Sequence, residues 1–152
     1  MPLTVKVPGR TPLHLIHLVL DLNGTIAAGG RLLPGAKKRI LTVAPMLDVT
    51  VLTADTYGGA GKALGSMPVR VHQVRSGKDK ARFVASRDGV VAVGNGANDL
   101  GMLAEAELGI AVLGAEGTCA ALLPVADLLV PSIDDALDLL LDPRRLVATL
   151  RT

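Results

Sequence analysis

Residues 14–25 read HLIHLVLDLNGT, an apolar run that stops at Asp21 and enters a turn made of Leu22, Asn23, Gly24 and Thr25. A run this short and this apolar predicts a strand buried on both faces. Further runs of the same kind predict strands at 48–53, 69–74, 90–94, 109–113 and 127–130, beside the first at 14–21. The stretches between them predict helices at 34–46, 57–64, 77–86, 99–106, 118–125 and 133–150. Strands that alternate with single helices pair in parallel through right-handed crossovers. The expected fold class is therefore α/β, a Rossmann-like parallel sheet with helices on both faces in three layers. Pro34 suits a first helical turn, Ser132 followed by Asp135 resembles a capping box, and Pro143 is expected to kink or split the last helix.

The chain's 152 residues suit one core domain spanning residues 1–152. Sixteen basic against fourteen acidic residues leave a formal charge of +2, and Tyr57 and Phe83 are the one Tyr and the one Phe in a chain without Trp. Such a composition offers neither a basic groove nor stacking platforms, so no nucleic-acid partner is expected. The apolar residues form no run long enough for a membrane span, and the opening MPLTVKVPGR lacks a signal-like apolar core, which makes the cytoplasm the expected location. Cys119 stands alone and is read as a small core residue, and His14, His17 and His72 show no metal-ligand spacing and are read as structural.

In an open parallel sheet the chemistry gathers at the carboxyl ends of the strands. Asp21 ends the first strand and Thr53 ends the second. Lys78 and Lys80 stand at the start of a helix, where the dipole disfavours cations unless an anion sits opposite. The fourth strand breaks into Gly94, Asn95, Gly96, Ala97, Asn98 and Asp99. A carboxylate, a hydroxyl, an ammonium and an acid-plus-amide turn on one sheet edge form the set that phosphoryl transfer uses, where catalysis is mostly positioning and charge neutralisation. Asp55, Thr56 and Asp88 are read as caps or turn residues. GGAGKA around Lys62 lacks the glycine and the Ser/Thr of a P-loop, and GNGAND lacks the third glycine of a dinucleotide fingerprint.

In this order, DLNGT, VLTADT, the lysine of DKARFV and GNGANDLGML resemble the four motifs of the haloacid dehalogenase-like (HAD) superfamily. The likeness is to capless soluble members similar to the phosphorylation domain of P-type ATPases. The resemblance implies an Mg²⁺-dependent phosphatase or phosphotransferase acting on a small phosphorylated substrate through an aspartyl-phosphate on Asp21. It implies catalytic roles for Asp21, Asn23, Thr53 and Lys80, with Leu22, Gly24 and Ala54 joining these around the phosphoryl group. It implies a metal side formed by Asp21, Asn23, Asn95 and Asp99, supported by Thr25 and Asn98. A capless site is open, and a homo-oligomer, a dimer or a tetramer, is the expectation that follows.

Two residues depart from the pattern. Asn23 stands where phosphatases of the superfamily usually carry the general acid/base Asp, and Asn95 replaces the first acid of the last motif. An amide cannot perform that proton transfer, which predicts slow turnover or, as the alternative, a weakened binding or regulatory module. Both asparagines precede glycine, the context most prone to deamidation.

Overall fold

The computed structural model describes residues 2–54 and 59–152. It begins with an antiparallel pair, β1 (Leu3–Val5) and β2 (Leu13–Leu15), and passes into β3 (His17–Asp21). A small hairpin follows, β4 (Ala27–Ala28) and β5 (Arg31–Leu32), turned by Gly29 and Gly30. Both glycines have positive φ, as tight two-residue hairpin turns require. After the hairpin come α1 (Pro34–Val43), β6 (Asp48–Thr53), α2 (Gly59–Leu64), β7 (Arg70–Gln73), α3 (Gly77–Ala85) and β8 (Val90–Gly94). A 3-10 turn (Ala97–Asp99) leads into α4 (Leu100–Glu105) and β9 (Leu108–Val112), and a second (Ala120–Leu122) into β10 (Leu128–Val130), α5 (Ile133–Leu141) and α6 (Pro143–Leu150).

Six strands form one parallel sheet in the order β10-β9-β8-β3-β6-β7. Alternation along each strand sorts side chains to two faces. Leu18, Leu20, Val91 and Val93 enter one core with α1, α2, α5 and α6. Val19, Val90 and Ala92 enter the other with α3 and α4. This is a three-layer αβα, Rossmann-like sheet, and the described residues contain no cap domain. Asp21 pairs with Leu52 and Leu20 with Val93, so Asp21, Thr53 and the end of β8 reach the same sheet edge.

Differences from the sequence expectation have local causes. The strand expected at 14–21 divides at Ile16, because Leu13 and Leu15 are buried while His14 is exposed, the period-2 pattern of a one-sided pair. The amides of Ile16 and His17 both donate to the Gly89 carbonyl at this break. The helix expected at 118–125 shrinks to one 3-10 turn, since Pro124 has no amide to continue it. The helix expected at 34–46 stops at Val43, one residue short of the Ala44–Pro45 step. That expected at 133–150 splits at Asp142, with Pro143 opening α6. Ser132 accepts from the Asp135 amide, while its hydroxyl donates to the Asp135 carboxylate. Tyr57, together with Asp55 and Thr56, lies outside the described residues.

Candidate active site

The nucleophile turn is built on backbone hydrogen bonds. The Leu22 carbonyl accepts from the amides of Ile26 and Ala27, and the Gly24 amide donates to the Ala27 carbonyl, which folds residues 22–27 over the end of β3. Gly24 holds φ +82°, a left-handed conformation that a side chain resists. The fold leaves Asp21 nearly buried, Asn23 exposed and Thr25 buried directly behind the carboxylate. Thr25 Oγ1 donates to Asp21 Oδ2 at 3.1 Å and lies 3.3 Å from Asn95 Oδ1.

Lys80 arrives from the other face of the sheet. Ser76 caps α3 by accepting from the Asp79 amide, while Asp79 accepts from the Arg75 amide, and this start sets the helix rotation. Lys80 and Val84 then form the buried stripe of α3, and Lys80 is only 2% exposed. Lys78 points to solvent instead. The Lys80 ammonium donates to Asp21 Oδ1 and to Asp99 Oδ1, each at 2.8 Å. Burial works to lower the Lys80 pKa, but the charges and hydrogen bonds of the two carboxylates outweigh it and raise the pKa. The Asp21 pKa is also raised, first by burial and then by the Asp99 charge, against the opposing pull of Lys80.

Asp99 is fully buried at the end of the turn after β8. Its Oδ2 accepts from the backbone amides of Asn95 and Gly96, at 3.0 and 3.1 Å. This fold-back needs Gly94, because a β-carbon there would fall 2.5 Å from Asp99 Oδ2. Asn95 turns its two amide atoms in different directions: Nδ2 donates to the Gly117 carbonyl at 3.0 Å, which leaves Oδ1 facing Thr25.

The oxygens at this corner suit a hard cation. One hydroxyl proton, that of Thr25, serves both Asp21 Oδ2 and Asn95 Oδ1, so acceptor capacity remains on the same side of the site. Two carboxylates against one ammonium leave the trio with excess negative charge. A carboxylate and a carboxamide oxygen are ligands that Mg²⁺ accepts while keeping waters. No group of three or more His, Cys, Asp or Glu that could hold a metal ion occurs among the described residues.

The structure thus brings Asp21, Thr25, Lys80, Asn95 and Asp99 into one bonded cluster. Thr53 is buried at the end of β6 on the same edge, and Ala54 follows it exposed. Leu22 is buried in the core. Asn98 is exposed, and its backbone carbonyl approaches Gly77 at the start of α3. His14 contacts Thr4, His17 lies near Asp48, and His72 packs against Phe83, so none joins the cluster. Cys119 is half-buried against the core. Sequence reasoning missed the loop after β9, where Glu116 approaches Gly24 and Gly117 receives the Asn95 amide. The signal available was a pair of glycines, Gly114 and Gly117, bracketing an acid just after a strand.

The deamidation expected from the Asn-Gly context meets an obstacle in this geometry. Ring closure needs the following glycine's nitrogen to attack the side-chain amide, and the Gly24 and Gly96 amides are both engaged in hydrogen bonds.

No protein-family model matches the sequence. An uncharacterized protein of Methanocaldococcus jannaschii, MJ0073, is 48% identical over 62 residues, which are 41% of this chain and 67% of that protein. Among solved structures, the fold is similar to 3-deoxy-D-manno-octulosonate 8-phosphate phosphatase from Moraxella catarrhalis, solved with magnesium ion, phosphate ion and KDO. That match has a TM-score of 0.72 and 12% identity over 90% of this chain and 94% of the other. A putative HAD family hydrolase from Streptomyces avermitilis matches with a TM-score of 0.64 and 18% identity, covering 90% of this chain and 84% of that one. A zinc-transporting PIB-type ATPase in its E2.Pi state matches with a TM-score of 0.61 and 25% identity, over 78% of this chain but only 20% of the pump. No helix among the described residues is long and apolar enough to cross a membrane. The chain belongs to one family with MJ0073, and its fold is that of the HAD-like hydrolases and of the P-type ATPase phosphorylation domain.

Proposed function

We propose that this chain is an Mg²⁺-dependent phosphohydrolase or phosphotransferase that works through an aspartyl-phosphate on Asp21. The observation that carries the proposal is the Lys80 ammonium held between Asp21 and Asp99 at 2.8 Å from each, across 59 and 19 residues of sequence. A lysine buried to 2% exposure is costly to fold unless its charge is paired, and here two carboxylates pair it.

In the proposed reaction an Asp21 carboxylate oxygen attacks phosphorus, the ester bond to the leaving oxygen breaks, and that oxygen takes its proton from water. Lys80 and the Thr53 hydroxyl, with the turn formed by Leu22, Asn23, Gly24 and Ala54, hold the phosphoryl oxygens. Thr25 keeps Asp21 oriented, and Asp99 keeps Lys80 charged and in place. A bound Mg²⁺, held by Asp21, the Asn23 main-chain carbonyl and Asn95, with Asp99 behind them, would neutralise charge that develops on the phosphoryl group. A water then attacks the acyl phosphate and regenerates the carboxylate. Asn23, exposed beside the nucleophile, offers no acid for the leaving group and no base for that water, so both steps are slow.

The substrate is a small phosphorylated compound, and the enzyme is expected in the cytoplasm as a homo-oligomer. The Asn95 carboxamide gives support to a second reading, a weakened module that keeps the pocket without significant turnover, because it trades an anionic oxygen for a neutral one. Assay of a panel of phosphate esters and acyl phosphates with Mg²⁺, using Asp21→Asn as control, separates the two. Release above that control supports the enzyme, and release equal to it supports the module.

A further inference from the structure

Asn95 leaves the metal side of the turn with one carboxylate fewer than an acid at that position would give. The loop after β9 brings another carboxylate up to the neighbouring nucleophile turn. Gly114 and Gly117, both at positive φ, fold residues 114–117 back against the nucleophile turn, where a β-carbon on Gly114 would lie 3.2 Å from the Gly24 carbonyl oxygen. Asn95 anchors this loop at two points. Its Nδ2 donates to the Gly117 carbonyl at 3.0 Å, and its own carbonyl accepts from the Cys119 amide at 2.8 Å. Glu116 is the residue just before the first anchor. A β-carbon on Gly24 would meet Glu116 Oε2 at 3.0 Å and Asn95 Nδ2 at 2.8 Å, so carboxylate and carboxamide flank the same bare position of the nucleophile turn.

We propose that Glu116 supplies the negative charge that Asn95 lacks, holding the divalent cation through its bound waters and not as a direct ligand. The inference rests on the reading of Asp21 as a phosphoryl acceptor beside such a cation. Glu116 is exposed, so it can reach the hydration shell of a cation in an open site. Mg²⁺ keeps several of its waters, and carboxylates that accept hydrogen bonds from the coordination sphere tune affinity. The amide at 95 and the acid at 116 then form a matched pair. Asn95 needs its NH₂ group to dock the loop that carries Glu116, and Asn95→Asp would turn a carboxylate oxygen toward the Gly117 carbonyl.

The test uses Mn²⁺ alone as the probe, with free ion counted by electron paramagnetic resonance, on the full chain without substrate. Glu116→Gln is expected to weaken Mn²⁺ binding about 10–100-fold, the usual range for a group supporting metal ligands, with metal-free melting unchanged. Equal affinity in wild type and Glu116→Gln overturns the proposal, while leaving the reading of Asp21 intact if Asp21→Asn weakens binding. Equal affinity in wild type and Asp21→Asn overturns both.

Discussion

Asp21 and Asp99 share one ammonium at equal distance, yet their other partners differ. Asp99 has no exposed surface, and its second oxygen accepts two backbone amides from the turn that Gly94 allows. Among the described residues, Asp21 has only the Thr25 hydroxyl on its second oxygen, in competition with Asn95, and its pKa is raised. One carboxylate is built into the scaffold, and the other is left with unspent acceptor capacity and an electrostatic cost. A group in the second condition is the one suited to attack phosphorus or bind a cation. The contrast supports the different tasks proposed for the two acids.

The largest expected effect breaks the contrast altogether. Lys80→Met would leave two carboxylates facing each other across a buried site, and removal of one partner from a buried ion-pair network costs about 3–5 kcal/mol. Urea unfolding should show that loss together with the loss of any phosphatase activity. Asp99→Asn is expected to cost about 2 kcal/mol, because its NH₂ group would face either the Lys80 ammonium or the two backbone amides.

Asp21→Asn should go the other way. Without metal it is expected to stabilise the fold by about 1 kcal/mol, an ordinary single-residue magnitude, while abolishing activity. The sign follows from the raised pKa. A carboxyl that protonates more readily folded than unfolded costs stability when ionised, and that cost disappears as pH falls through the folded pKa toward 3.8. The stability difference between Asp21→Asn and wild type should therefore be largest near neutral pH and shrink on acidification. A difference that stays constant with pH would remove the electrostatic account of Asp21. Saturating Mg²⁺ should also narrow it, by stabilising wild type more than the variant.

Legibility from sequence followed the same division between scaffold and site. Strands β6 and β8 kept the bounds expected of them, since continuous burial of Val49–Val51–Leu52 and of Val90–Val93 leaves one way to read the run. Lys80 was separable from Lys78 only through the spacing to Phe83 and Val84 that the family resemblance supplies, and α3 buries one and exposes the other. The antiparallel β1–β2 pair was not legible, because three-residue strands such as Leu3–Val5 carry too little periodicity to announce themselves. The approach of Glu116 to Gly24 was not legible either. It depends on the left-handed conformations of Gly114 and Gly117 and on a contact between residues far apart in the chain, neither of which a local pattern encodes.

The central claim is that Asp21 takes the phosphoryl group and releases it slowly for want of an acid/base at position 23. Acid-quenched intact-mass measurement, after mixing with acetyl phosphate and Mg²⁺, tests it most directly in wild type and Asn23→Asp. Wild type should accumulate one phosphoryl adduct mapping to Asp21, and Asn23→Asp should hold less of it while releasing phosphate faster by about 10²–10⁴-fold, the usual worth of a positioned acid/base. An adduct absent from both proteins, or mapping to another residue, would contradict the account.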